Sequence, residues 1–111
     1  NRVKSNDPRD WVDRAEALQG RFWDTNTSVS FKGIPALWFV EASHGFSASA
    51  WGTIMPHNIG LGCANDLGLM ERIGNVTARE VSATGLDATV SVSVTVPRNN
   101  RWGRVYEGFS Q

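Results

Sequence analysis

Between an apolar run, IPALWFV at 34–40, and an alternating one, DATVSVSVTV at 87–96, lies a stretch whose apolar residues recur at helical spacing, NDLGLMERIGNVTAREVSATG. That order of strand, helix, strand constrains the fold more than any other feature. Two strands separated by a helix-length segment cannot close as a tight hairpin, and they pair side by side in a parallel sheet. In the helix, Asp66 stands at the N-cap, and Leu69/Met70, Ile73, Val76/Thr77 and Val81 share one face. Gly85 supplies its left-handed C-terminal turn. Gly74, in mid-helix, costs about 1 kcal/mol relative to Ala, which predicts tight packing beside it. The last run places Val90, Val92, Val94 and Val96 on one face and Thr89, Ser91, Ser93 and Thr95 on the other, the period of a strand. The first run is apolar without alternation, as in a strand buried on both faces.

The flanks extend the pattern. In SNDPRDWVDRAEALQGRFW, Asp7 caps a helix, Pro8 takes its first position and Asp10 adds a carboxylate to its first turn. Trp11, Ala15, Leu18 and Phe22 form its apolar stripe, and Gly20 weakens its last turn. A polar loop, DTNTSVSFKG, follows. FSASAWGTIMP is a loop rich in small residues, and HNIGLGC is predicted as a second short strand in which Gly60 and Gly62 permit close backbone approach. Of five tryptophans, Trp11, Trp23 and Trp38 are expected to fill the core, whereas Trp51 and Trp102, in Gly-flanked loops, are candidates to meet a ligand.

Composition narrows the function. Eleven basic residues balance eleven acidic ones, so no global field attracts nucleic acid or an anionic membrane. No apolar run approaches the roughly 18 to 20 residues that span a bilayer. Cys63 has no second cysteine to pair with, and no His or Cys pair stands at metal-ligand spacing, so neither a metal nor another cofactor is expected. No G-x-S-x-G or Walker loop occurs, and NIGLGC lacks the third glycine and the ribose acid of a dinucleotide site.

In parallel α/β folds, functional residues gather on loops at the carboxyl ends of strands. Three groups fall there: Glu41–Gly45, Asn65–Asp66, and Arg98–Glu107, which contains the stretch RWGRVYE. Glu41, Asp66 and Glu107 are carboxylates, and Arg98, Arg101 and Arg104 are guanidiniums. A carboxylate accepting from neighbouring hydroxyls, with an arginine donating to a third, suits the ring of a sugar, whose less polar face stacks on Trp. Each residue also has a plainer role open to it. Asp66 can serve only as a cap, Glu41 can pair with Arg98 or Arg104, His44 can be structural, and the arginines can be solvated or meet a phosphate.

TIMPHNIGLGCANDLGLMERIGNVTAREVSATGLD and RWGRVYEGFS resemble the N-terminal domain of glycoside hydrolase family 3, the β-glucosidase and exo-β-glucanase group. GIPALWFVEASHG is similar to that family's G-I-P-x-x-x-G-x-D-A-V-H-G. The likeness runs from about residue 34 to 110, with the first helix ahead of it. It implies a retaining hydrolase on a (β/α)8, TIM-type barrel, of which residues 1–111 would be a single segment holding the first strands and helices. It implies substrate-binding roles for Glu41, Asp66, Arg104, Tyr106 and Glu107, and an oligo- or disaccharide as the partner. It also implies that the catalytic nucleophile, a Lys-His pair, the rest of the barrel and a second domain with the general acid lie downstream, and that the protein is periplasmic or extracellular. NTS at Asn26 and NVT at Asn75 match the N-glycosylation pattern. The chain departs from the family pattern at Glu41 (Asp in the motif), at Phe46-Ser47-Ala48 (H-N-N), at Trp51 (Gly), at Val90-Ser91-Val92 (F-A-P) and at Asn99 (Asp).

Overall fold

The computed structural model of the protein describes residues 7–24, 33–91 and 93–110. In chain order it contains helix α1 (Pro8–Trp23), strand β1 (Phe39–Val40), helices α2 (Asn58–Ala64) and α3 (Leu67–Ala83), strand β2 (Ala88–Thr89) and a 3-10 turn (Val105–Glu107). β1 and β2 pair in parallel, Phe39 opposite Ala88 and Val40 opposite Thr89. The α/β class and the parallel pairing are therefore as the sequence predicts. No described helix is long and apolar enough to cross a membrane.

Both long helices begin as their sequences dictate. Asp7 accepts from the Arg9 N–H at 2.9 Å with Pro8 at the first position, and Asp66 accepts from the Leu69 N–H at 2.9 Å. Each side-chain oxygen satisfies a donor that the helix leaves unpaired. Gly85, with φ +73°, turns the chain after α3. The Gln19 side-chain amide clips α1 to the segment entering β1. It donates to the Ala36 carbonyl at 3.3 Å and accepts from the Ala36 N–H and the Trp38 indole, each at 3.2 Å.

The strand pair is extended at each end by a side chain standing in for a ladder partner. Asp87 Oδ2 accepts from the Trp38 N–H at 2.8 Å, and the buried Ser91 Oγ accepts from the Ala42 N–H at 2.7 Å. A small core forms beside it from Ala42, Phe46 and Val81, with Trp11, Val40, Trp51 and Leu86 packed around them. Trp11 meets Phe46 edge-on, with ring centroids 5.7 Å apart.

Several expectations are corrected. HNIGLGC is not a strand: after His57 it forms the helix α2, because Leu61 and Asn58, one turn apart, are both buried and αL Asn65 stops the helix. Of its two glycines, only Gly62 is closely approached, by Ser110 and Phe109; Gly60 has open space beside it. Gly74 likewise has open space and not tight packing. The first run is not buried on both faces: Phe39 is 57% exposed, because no other described element covers that side. Among the described residues the strand in the alternating run spans only Ala88–Thr89, with one further backbone bond from the Val90 N–H to the Val40 carbonyl at 3.3 Å, and Val90, Val94 and Val96 are exposed, since β2 has no second neighbour there. Val92 and most of the polar loop after α1, including Asn26, lie outside the described residues. Trp23 is exposed and not core, while Trp51, half-buried, rests on Phe46 at 5.1 Å and packs against the core.

Replacing Ser91 by Ala leaves the buried Ala42 N–H without an acceptor, a loss of about 1–3 kcal/mol. Hydrogen exchange at Ala42 is expected to quicken in Ser91→Ala, with exchange in α1 unchanged.

Candidate functional site: a polar cleft at the strand ends

The polypeptide leaving β1 presents Glu41 immediately and then turns at Gly45. That turn demands glycine, since φ is +77° and a Cβ would run into the Thr53 carbonyl and come within 3.0 Å of Met55 Cγ. The returning loop is fastened to α3, where the Glu80 carboxylate accepts from the Thr53 N–H at 2.9 Å and from its hydroxyl at 2.5 Å. On the other side, the chain after β2 folds back through the 3-10 turn, held by Phe109 N–H to the Thr95 carbonyl at 2.8 Å. The buried Asn58 side chain in α2 donates to the Glu107 carbonyl at 2.8 Å, so the turn is seated on α2.

Between these segments lies a polar cleft of about 260 Å³, lined by Glu41, Ser43, Val90, Ser91, Ser93, Arg104 and Glu107. Arg104 and Glu107 pair through two bonds, Nε to Oε1 and Nη2 to Oε2, both 2.6 Å. The pair is asymmetric: the Glu107 side chain is 9% exposed and that of Arg104 is 64% exposed. The carboxylate therefore serves as a fixed anchor, and the guanidinium keeps N–H donors facing solvent. Hydrogen bonds from Arg104 hold the Glu107 pKa below the ordinary carboxylate value against the opposing effect of desolvation, and Tyr106 adds a further hydrogen bond. The same contact to Glu107 pushes the Tyr106 phenol up. Glu41 Oε1 accepts from the Ser43 hydroxyl at 3.0 Å.

Glu41, Arg104 and Glu107 thus converge, with Tyr106 tied to Glu107. Asp66 does not line the cleft; its Oδ1 is engaged at the head of α3, and the residue is exposed. Trp102 is 40% exposed. Among the described residues no cluster of three or more His, Cys, Asp or Glu could hold a metal. Sequence reasoning missed Ser43, Ser91 and Ser93, which read as bland strand and loop positions. It also missed Asn58, hidden by the strand reading of HNIGLGC. The polar face of the alternating run was the available signal for Ser91 and Ser93.

Residues 5–111 match the family model described as Glycosyl hydrolase family 3 N terminal domain. The chain belongs to that family. Over 88 residues it is 33% identical to the periplasmic beta-glucosidase of Salmonella typhimurium, covering 79% of this chain and 11% of that protein. The crystal structure of an exo-1,3/1,4-beta-glucanase from a Pseudoalteromonas species superposes with a TM-score of 0.83 at 40% identity, covering 92% of this chain and 12% of that one. A point mutant of the same glucanase gives the same score and identity, with 16% of its chain covered. The chain therefore spans between 11% and 16% of these relatives' lengths.

In this family 3 chain the cap at Asp66 is a hydrogen bond from the Leu69 N–H to a side-chain oxygen, which Asn also offers. Asp66→Ala is expected to destabilise α3 by about 1 kcal/mol, and Asp66→Asn by only a few tenths. Urea midpoints of the protein that carries this chain check the difference.

Proposed function

We propose that the protein carrying this chain is a retaining glycoside hydrolase that cleaves O-glycosidic bonds of β-glucosides or short β-glucans, and that this segment supplies part of its sugar-binding face. The observation that carries the reading is the polar cleft at the strand ends, in which Glu41 and the Arg104–Glu107 pair face one space. Its volume, near the small end of ligand pockets, suits a single sugar ring. Glu41 accepts from ring hydroxyls, and the donors of Arg104 not used by Glu107 give to a third. Because Glu107 already fixes the fork, little orientation is lost when the sugar arrives. Membership of family 3 and the names of its relatives, a beta-glucosidase and an exo-1,3/1,4-beta-glucanase, support the substrate class. In a retaining mechanism two further carboxyl groups act, one as nucleophile and one as acid; on this reading both lie outside these residues, so this segment holds substrate without breaking the bond.

The same reading makes the chain the first part of a (β/α)8 barrel completed by later sequence, with a second domain beyond it. Three features support that architecture. Parallel strands are stable when covered on both faces, yet Phe39 and Val90 are exposed, at 57% and 71%. Beside β2, between α2 and α3, is an apolar cavity of about 310 Å³ bordered by Met55, Leu61, Met70, Ile73 and Phe109. Among the described residues, only Ala42, Phe46, Leu61 and Val81 are buried apolar side chains. The name of the Salmonella typhimurium relative supports a periplasmic site of action for the protein that carries this chain.

One observation favours a second reading, a carbohydrate-binding relative that has lost hydrolysis. Glu41 stands where the family motif has Asp, and the extra methylene carries the carboxylate into the space of the sugar. Hydrolysis of an aryl β-glucoside by the protein that carries this chain separates the two. Arg104→Ala is expected to lower kcat/KM by about 10- to 150-fold, the worth of a charged hydrogen bond. Glu41→Asp is expected to raise activity in a working enzyme and to leave an inactive binder inactive. Unchanged kcat/KM in Arg104→Ala would remove the cleft from the sugar site.

A further inference from the structure

The chain has two histidines and one tyrosine, and the fold gathers all three. His44 lies in the turn after β1, His57 directly before α2, and Tyr106 in the 3-10 turn. The imidazole centroids of His44 and His57 are 4.0 Å apart with planes inclined at 47°. Tyr106 meets His57 edge-on at 5.3 Å and stands 6.2 Å from His44. Three segments distant in sequence therefore meet ring to ring, and Tyr106 directly precedes Glu107, the anchor of Arg104. His44 Nδ1 is buried without a hydrogen-bond partner.

We propose that His44, His57 and Tyr106 are positioning residues for the Arg104–Glu107 pair, and that a proton on His44 weakens the hold of Arg104 and Glu107 on a sugar. The proposal rests on the saccharide reading of the cleft and adds to it a residue group that acts through Glu107.

The charges around His44 set the sign. His57 faces it from the start of α2, Glu107 and Tyr106 from the 3-10 turn, and Glu41 from the end of β1. Burial, and then the like charge of His57, hold the His44 pKa below the ordinary histidine value; Glu107 and Glu41 oppose them less strongly. Two imidazolium ions at this separation repel, so the doubly protonated pair is disfavoured. At neutral pH, His44 is therefore uncharged and Glu107 has one cationic partner, Arg104. As pH falls through the lowered His44 value, a second cation arises beside Glu107. It competes with Arg104 for the carboxylate and repels the guanidinium, which turns the fork away from the cleft. A sugar that holds the fork in the cleft opposes the protonation of His44 that would turn it away, so by linkage that protonation opposes sugar binding. Sugar binding accordingly weakens towards acid pH, and removing the charge of His57 moves the change to higher pH.

The test is the dependence of KM and kcat for an aryl β-glucoside on pH, from about pH 4 to 8 across the histidine range, in the protein that carries this chain. Wild type is compared with His57→Phe, which keeps a ring in place without a titrating group, and with His44→Gln. The expected result is a several-fold rise in KM at acid pH in wild type, with a midpoint below the ordinary histidine value. That rise shifts to higher pH in His57→Phe and is lost in His44→Gln. A merely structural role would change KM equally at all pH values. An acid rise that stays in place in His57→Phe overturns the proposal, and that exposed position decides the matter even if His44→Gln does not fold. Turnover absent in wild type at every pH instead overturns the saccharide reading, a failure distinct from an unmoved pH profile.

Discussion

Two strands that run the same way need a long crossover, and the placement of everything else follows from that constraint. Here the crossover is the loop turning at Gly45, then α2 and α3, and it returns the chain so that Val40 lies opposite Thr89. That register sets Glu41 one residue beyond the pair on one strand and Ser91 two beyond it on the other. The hydrogen bond from the Ala42 N–H to the Ser91 hydroxyl then keeps the two exits together past the point where backbone pairing stops. The cleft opens where those exits diverge, and the chain after β2 folds back across it to deliver Arg104 and Glu107.

The arginine and its partner show how a short turn can present a charged group in a fixed attitude. An exposed Arg on a long side chain loses orientation readily, and an exposed ion pair adds little stability. Glu107 changes that balance because it is buried, bound by both oxygens to one guanidinium, and carried on a backbone whose carbonyl is held by Asn58. The consequence is orientation more than stability: the guanidinium is held in one attitude, with its remaining N–H donors facing solvent.

Helix signals were the most legible part of the sequence. Asp7-Pro8 and Asp66 mark starts through a local hydrogen bond that needs no tertiary context, and Gly85 marks an end through a backbone angle that L side chains rarely adopt. α2 was not legible, because a seven-residue helix with two glycines has no period long enough to read. Its helicity comes from burying Leu61 and Asn58 against neighbours the sequence does not name. The strands were legible as strands but not in extent, since pairing requires a partner and the described residues offer each strand only one. At the site, the grouping of residues 41–45 with 98–107 followed from the strand-end rule for parallel sheets. Asp66 satisfied the same rule yet faces its own helix. Trp51, flanked by Ala50 and Gly52, reads as a loop residue, and its packing on Phe46 was not legible because that contact is tertiary.

Family membership and the geometry of the cleft bear on one central claim, that Glu41 and Arg104 grip a sugar ring. The most direct measurement is a crystal structure, with glucose bound, of the protein that carries this chain. The account predicts a ring in the cleft with hydroxyls within hydrogen-bond distance of the Glu41 carboxylate and the Arg104 guanidinium, and with the Arg104–Glu107 pair intact. A sugar bound elsewhere, with Glu41 and Arg104 touching only protein and water, would contradict it.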